Sequence, residues 1–326
     1  MTIQTYEKEL LKNILTAIEN HGGRVCLSSV ILAGSFGRDE PTYTFTEDGG
    51  FALKSDVEIA LVYPKATYKK AVKKMIAEVS QEFEEDLNLM AIHERRVRKA
   101  YNHNLSFKTP KYKTLFTYDL FNGSKTIWGE DLISQKTVSL SEVDRYEAKR
   151  LIGNRIGELL YLQTTADSEE RKQELAMQWK SKLMLAIASA WLICEGLYVS
   201  SYRGQQQILE QKKEAVNDAF GEGFFEIYDK AFSYLRNNGA PHMVEDEKLR
   251  AFVKLANQYL INKNVGRSRT TTVSRWVKSC IRYIKTGMHY GLVGFADNIL
   301  QALIDGFSAG AEDTETAAQA WRRVLY

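Results

Sequence analysis

The sequence predicts a mixed α+β chain with an N-terminal half of alternating strands and helices and an all-α C-terminal half. Three observations carry this. Short β-branched apolar runs alternate with helical stripes up to about residue 135, strand signals vanish from Val143 onward, and the length of 326 residues suits roughly two domains at about 150 residues each.

In chain order, Tyr6, Leu10, Leu11, Ile14, Leu15 and Ile18 recur at the spacing of one helix face, and His21-Gly22-Gly23 ends the pattern, with glycine where a helix C-terminus favours it. Ser29-Val30-Ile31-Leu32-Ala33 and Asp56-Val57-Glu58-Ile59-Ala60-Leu61-Val62 read as strands. Ala71, Val72, Met75, Ile76, Val79 and Phe83 form a second helical stripe. Leu87 to Ile92 reads as a strand, and Thr114 to Phe121 as another before the Asn122-Gly123 turn. Pro41 to Lys54 reads as an inserted loop or small hairpin.

The composition shift at Lys136 to Ser141 separates a first domain, 1–135, from a second, 141–326. Helical periodicity then covers about 143–163, 169–198, 205–217, 222–237, 245–262, 273–287, 291–308 and 314–325, with no repeat at a fixed period.

Apolar residues at 44%, charged residues at 26% and four prolines describe a globular chain, not a disordered or collagen-like one. A net charge of +3 gives no general pull toward nucleic acid or anionic membrane. The cysteines, Cys26, Cys194 and Cys280, are too few and too scattered for a disulfide framework or a four-ligand zinc site, so reduced thiols in a cytoplasmic protein are expected. The N-terminus lacks the pattern of a signal peptide. The longest apolar run, Leu183 to Cys194, falls short of the ~20 residues of a membrane span, which predicts a buried core helix and no membrane partner.

Three segments carry candidate chemistry. In Leu32-Ala33-Gly34-Ser35-Phe36-Gly37-Arg38 a strand runs into a small-residue turn, where backbone N–H groups and a hydroxyl can cradle a phosphate. A tight strand-to-helix turn needs glycine in any case. In the second, Asp56 and Glu58 lie two apart on a strand and share a face, opposite Val57, Ile59 and Leu61. Adjacent carboxylates repel unless a cation lies between them or the face is solvated, so the pair suits a divalent metal. In the third, Asp119 sits in an aromatic run, Leu115-Phe116-Thr117-Tyr118-Asp119-Leu120-Phe121, where a carboxylate needs a partner, a metal or a place at the strand end. On a strand beside Asp56 it would complete a three-carboxylate cluster for two Mg²⁺ ions about 3.5–4 Å apart.

Together these segments resemble the nucleotidyltransferase superfamily that includes DNA polymerase beta, poly(A) polymerases and the aminoglycoside nucleotidyltransferases. Gly34-Ser35-Phe36-Gly37-Arg38-Asp39-Glu40 is similar to that family's glycine-serine turn, and Ser55-Asp56-Val57-Glu58-Ile59-Ala60-Leu61-Val62 to its paired-carboxylate strand. The resemblance spans about 30–120. The loop between the two motifs is longer than in the compact family pattern, and the second carboxylate is glutamate, as in resistance-type members.

The resemblance implies a family-type mixed sheet followed by a helical domain closing the substrate cleft. It implies that Gly34, Ser35 and Arg38 hold the phosphates of a nucleoside triphosphate such as ATP, that Asp56, Glu58 and Asp119 bind two Mg²⁺, and that Asp119 binds the metal that activates the acceptor and is the candidate general base. It further implies a helical-domain lysine on the triphosphate, Lys182 first and Lys180 second, since the phosphates carry more negative charge than the metals cancel. Tyr198 and Tyr202 could stack on a base or belong to the core. The expected activity is transfer of a nucleoside monophosphate to an acceptor hydroxyl with release of pyrophosphate. A small-molecule acceptor fits the near-neutral charge best; nucleic acid and protein acceptors stay open. A non-catalytic nucleotide-binding or antitoxin-like module and an RNA-binding protein are the competing readings.

Other signals carry less. Gly49 to Ser55 lacks the glycine a P-loop needs before Lys54, and Gly221-Glu222-Gly223 has no third glycine and no preceding strand. Arg282 and His289 have the spacing of a ribonuclease motif, but Arg98 and His103 meet a similar spacing by chance. Arg95, Arg96, Arg98, Lys99, Lys108, Lys111 and Lys113, interleaved with Tyr101, Phe107 and Tyr112, suit a polyanionic acceptor and equally a solvated loop. Arg267, Arg269, Arg275, Lys278, Arg282 and Lys285 form a second basic stretch.

Overall fold

Thr2 opens the first helix by accepting a hydrogen bond from the Thr5 N–H, and His21 closes it with its own N–H on the Ala17 carbonyl. Between them α1, Ile3–Asn20, buries Leu10, Ile14, Ala17 and Ile18, the stripe read from the sequence. The computed structural model describes residues 2–45, 49–100, 114–134, 137–165, 168–236, 244–265, 304–305 and 307–308. They fall into two compact units, 1–142 and 143–326, meeting one residue beyond the stretch where the composition shifts.

In the first unit α2, Gly23–Cys26, leads into β1, Ser29–Leu32, which is buried throughout. The one-turn helix α3, Gly34–Gly37, follows. Next come a hairpin of β2, Tyr43–Phe45, and β3, Phe51–Leu53, and then β4, Val57–Tyr63. Beyond it lie α4, Lys69–Val79, β5, Leu87–His93, and α5, Glu94–Ala100. The sheet runs β5-β4-β1-β6, with β4 parallel to β5 across the α4 crossover and β1 antiparallel to both β4 and β6, Lys125–Gly129. Val57, Ile59 and Leu61 enter one hydrophobic cluster with Ile14, Ile18, Val72, Met75 and Val79, so the core face of β4 is the one its alternation predicts.

One expectation fails here. Thr114 to Phe121 is not a strand: Leu115–Asn122 forms a helix, α6, capped by the Thr114 hydroxyl on the Thr117 N–H and ended at Gly123, whose N–H donates to the Asp119 carbonyl. A short continuous apolar run is ambiguous between buried strand and buried helix, and the Thr cap and C-terminal glycine decide it. The fourth strand is β6, just after this helix, where Lys-Thr-Ile-Trp-Gly is too short for a periodic signal.

The regular elements described in the second unit are all helices: α7, Tyr146–Thr165; α8, Glu169–Glu195; α9, Tyr202–Gln211; α10, Lys213–Phe220; α11, Phe224–Arg236; and α12, Asp246–Asn262. The single helix expected over 205–217 is therefore two, parted at Lys212. The apolar run from Leu183 to Cys194 is buried within α8 as expected. Among the described residues no helix is long and apolar enough to cross a membrane. The segments 273–287 and 314–325, Cys280, His289, and the basic residues from Arg267 to Lys285 lie outside the described residues. Of 291–308 only 304–305 and 307–308 are described, and they are helical.

Candidate active site

One end of the sheet collects the residues singled out by chemistry. β1 stops at Leu32, yet its ladder with β4 runs one step further, because the Ala33 N–H donates to the Glu58 carbonyl at 2.8 Å. The chain then turns sharply at Gly34, φ +61°. A Cβ built there would lie 2.8 Å from Glu58 Cδ, inside van der Waals distance, so the Glu58 carboxylate packs directly on the Gly34 backbone. The glycine-serine turn and the second carboxylate are thus in contact.

Ser35 follows, only 7% exposed. Its hydroxyl is buried without a hydrogen-bond partner among the described residues, an uncompensated cost for a polar group. The backbone around it is fixed: the Ser35 carbonyl accepts from the Glu40 N–H at 2.8 Å, and the Ala33 carbonyl from the Gly37 N–H at 3.0 Å. Arg38 Nε lies 3.6 Å from Glu40 Oε2, both side chains largely buried, which ties Arg38 into the turn's own framework. Asp39, held at φ +57°, pairs with Lys125 at the start of β6.

Asp56 sits one residue before β4, partly exposed. The hairpin ahead of it does not disturb the register. The Lys54 N–H donates to the Thr42 carbonyl at 2.8 Å and the Thr42 N–H to Ser55 Oγ at 2.9 Å, so the insertion closes on itself at the foot of β4. Across β4 on the other side, the Val57 N–H donates to the Asp86 carbonyl, and Glu58 is in register with Asn88 of β5. Sequence reasoning missed Asn88; its one signal was an asparagine between Leu87 and Leu89 inside a strand, where that residue is depleted.

Asp119 is not on a neighbouring strand. It lies on α6, one turn before the Gly123–Ser124 turn, and its carbonyl accepts from the Gly123 N–H and the Ser124 hydroxyl. That turn does reach the site's edge, since a Cβ on Gly37 would lie 2.7 Å from the Gly123 carbonyl oxygen. Burial, then the Asp119 charge, push the neighbouring Tyr118 phenol up. Among the described residues no group of three or more His, Cys, Asp or Glu side chains is placed to hold a metal ion, so the expected three-carboxylate cluster is not assembled. Asp56 and Glu58 still fit Mg²⁺, which is commonly held by one or two carboxylates together with water and substrate phosphate oxygens. The unpartnered Ser35 hydroxyl suits the same ligand.

In the helical unit Lys182 Nζ stands 4.2 Å over the Trp179 ring, with the Arg155 guanidinium 5.7 Å from that ring. Lys180 is buried and paired with Asp246 at 2.5 Å, which makes it a strut between α8 and α12. Tyr198 is buried, and Tyr202 lies under the Arg236 guanidinium at 4.0 Å. Of the first basic tract, Arg98 is bound to Glu94 and Glu130, while Arg95 and Arg96 are exposed. Tyr101, Phe107, Lys108, Lys111, Tyr112 and Lys113 lie outside the described residues. Compared with protein-family models, curated proteins and solved structures, the chain has no match.

Proposed function

We propose that the N-terminal unit is a divalent-cation-dependent nucleotidyltransferase that moves a nucleoside monophosphate from a nucleoside triphosphate to an acceptor hydroxyl, on a small molecule such as a sugar or aminoglycoside. The observation that carries the reading is the buried Ser35 hydroxyl, unpartnered among the described residues, in a turn on which the Glu58 carboxylate packs, two residues beyond Asp56.

Bound Mg²⁺ would supply charge neutralisation and orientation of the triphosphate. Asp56 and Glu58 are the residues to hold it, since their mutual repulsion is relieved by a cation. Ser35 donates its hydroxyl proton to a phosphate oxygen and so gains the partner it lacks. Glycine at 34 keeps the backbone close enough to the phosphates for its amides to assist. The acceptor oxygen bonds to the α-phosphorus as the bridge to the β-phosphorus breaks, pyrophosphate leaves with the bonding electron pair, and the acceptor proton passes to a carboxylate of the site. Asp119 lies on a helix and not on a strand beside Asp56, so the carboxylates in question are those of Asp56 and Glu58.

The test is pyrophosphate release with Mg²⁺ and each of ATP, GTP, CTP and UTP, with and without candidate acceptors. Asp56→Asn is expected to lower release by at least about 10²-fold, with the thermal transition unchanged or raised because a repelling charge is removed. Wild-type turnover in Asp56→Asn would defeat the assignment. Nucleotide binding without turnover in the unaltered protein would favour a non-catalytic module, and tight, salt-sensitive RNA binding an RNA-binding protein.

A further inference from the structure

Along β4 and β5 the face opposite the core is closed over most of its length and open at one end. Ala60 and Val62 are fully buried on it and Ile92 is 5% exposed, whereas Glu58 is partly exposed and Asn88 exposed. Glu58 and Asn88 are register partners in a parallel pair, so their side chains leave the sheet on the same face, about 4.8 Å apart at the backbone. Leu87 and Leu89, on either side of Asn88, pack against the hydrophobic cluster of the other face and fix this direction. The opening therefore has the Gly34–Ser35 turn on one flank of Glu58 and Asn88 on the other.

We propose that Asn88 is a ligand-facing residue of this site, its amide turned to the same divalent cation as the Glu58 carboxylate, so that a neutral group sets how tightly that cation is held. The inference rests on the nucleotidyltransferase reading and adds a residue to it. Two carboxylates balance one divalent ion; a third charge at position 88 would over-neutralise it and tighten binding, since affinity for hard cations rises with the number of charged oxygens. An amide in that place leaves the site with weak affinity by itself and makes tight cation binding depend on the triphosphate's own oxygens.

The test measures Mn²⁺ affinity of the full chain by electron paramagnetic resonance, without nucleotide, in wild type, Asn88→Asp, Asn88→Glu and Glu58→Gln, with circular dichroism to confirm folding. Asn88 is exposed on an edge strand, so a carboxylate there is compatible with the fold. Asn88→Asp is expected to tighten Mn²⁺ binding at least about tenfold, with Asn88→Glu, whose longer chain reaches further along the same face, giving the same direction. Glu58→Gln is expected to weaken it by a similar factor. If both position-88 variants bind as wild type while Glu58→Gln weakens binding, the role of Asn88 is overturned and the site reading stands. If Glu58→Gln also binds as wild type, both fall together.

Discussion

At the residue scale Gly34 and Gly37 separate a lesion of the site from a lesion of the fold. A Cβ at Gly34 meets the Glu58 carboxylate, the far end of a flexible side chain, and the backbone there is left-handed. A Cβ at Gly37 meets backbone on two sides, the Leu32 carbonyl oxygen at 2.6 Å and the Gly123 carbonyl oxygen at 2.7 Å, neither of which can step aside alone. Gly34→Ala should cost about 1–2 kcal/mol for the left-handed backbone and displace Glu58, lowering Mn²⁺ affinity and pyrophosphate release together. Gly37→Ala should lower the melting temperature further, because β1, α3 and the α6–β6 turn must all shift. Melting curves with Mn²⁺ titrations check this; a Gly34→Ala protein with wild-type Mn²⁺ affinity would show that Glu58 does not work from where it packs. Much of this site was legible in sequence. Asp56 and Glu58 stand out as carboxylates at the start of and within an apolar strand, where such residues are depleted, and Gly34 and Ser35 as a small-residue turn directly after another strand. Asn88 was not, since only strand register makes it a neighbour of Glu58, and register is a long-range property.

At the element scale two short segments escaped periodicity. Thr114 to Phe121 and Lys125 to Gly129 are each too short for it to choose between helix and strand; the Thr114 cap and the Gly123 stop decide the first, and pairing with β1 the second. The long stripes of α1, α4 and α8 were readable because several turns repeat the same pattern. The α1–α4 packing also carries a pH-dependent join. His21, at the C-cap of α1, contacts Glu78 of α4 at 3.2 Å and Glu82 just beyond it at 2.5 Å. The hydrogen bond to Glu82 foremost, then the charges of Glu82 and Glu78, outweigh desolvation and raise the His21 imidazole above its ordinary 6.5. A folded-state pKa above the unfolded one means that the join stabilises fully below pH 6.5 and fades as pH rises through the raised value. The melting-temperature gap between wild type and His21→Gln should therefore be widest in mild acid, close on going alkaline, and shrink with salt, since the groups are partly exposed. A gap independent of pH would show that the imidazolium contributes nothing there.

At the scale of the whole molecule, the division into two units was legible because the strand pattern stops and never resumes, and each unit buries a core of its own. The first closes around Ile14, Ile18, Ile59, Leu61 and Met75. The second has Phe220 and Phe224 with ring centres 4.7 Å apart, and Phe224 and Phe252 at 5.1 Å, all buried. Truncating a side chain in either leaves a cavity its close-packed neighbours cannot fill, costing about 2–5 kcal/mol for Ile14→Ala and about 3–5 kcal/mol for Phe224→Ala. Because the two side chains belong to the cores of different units, their effects should add, and calorimetry on the double variant should reproduce the sum of the single shifts. Only Ile14→Ala undermines the sheet that bears Glu58, so at a temperature where both single variants remain folded it is the one expected to loosen Mn²⁺ binding, while Phe224→Ala keeps wild-type affinity. Loss of Mn²⁺ affinity in folded Phe224→Ala would mean that the helical unit helps hold the cation, and the site could no longer be ascribed to the sheet end alone.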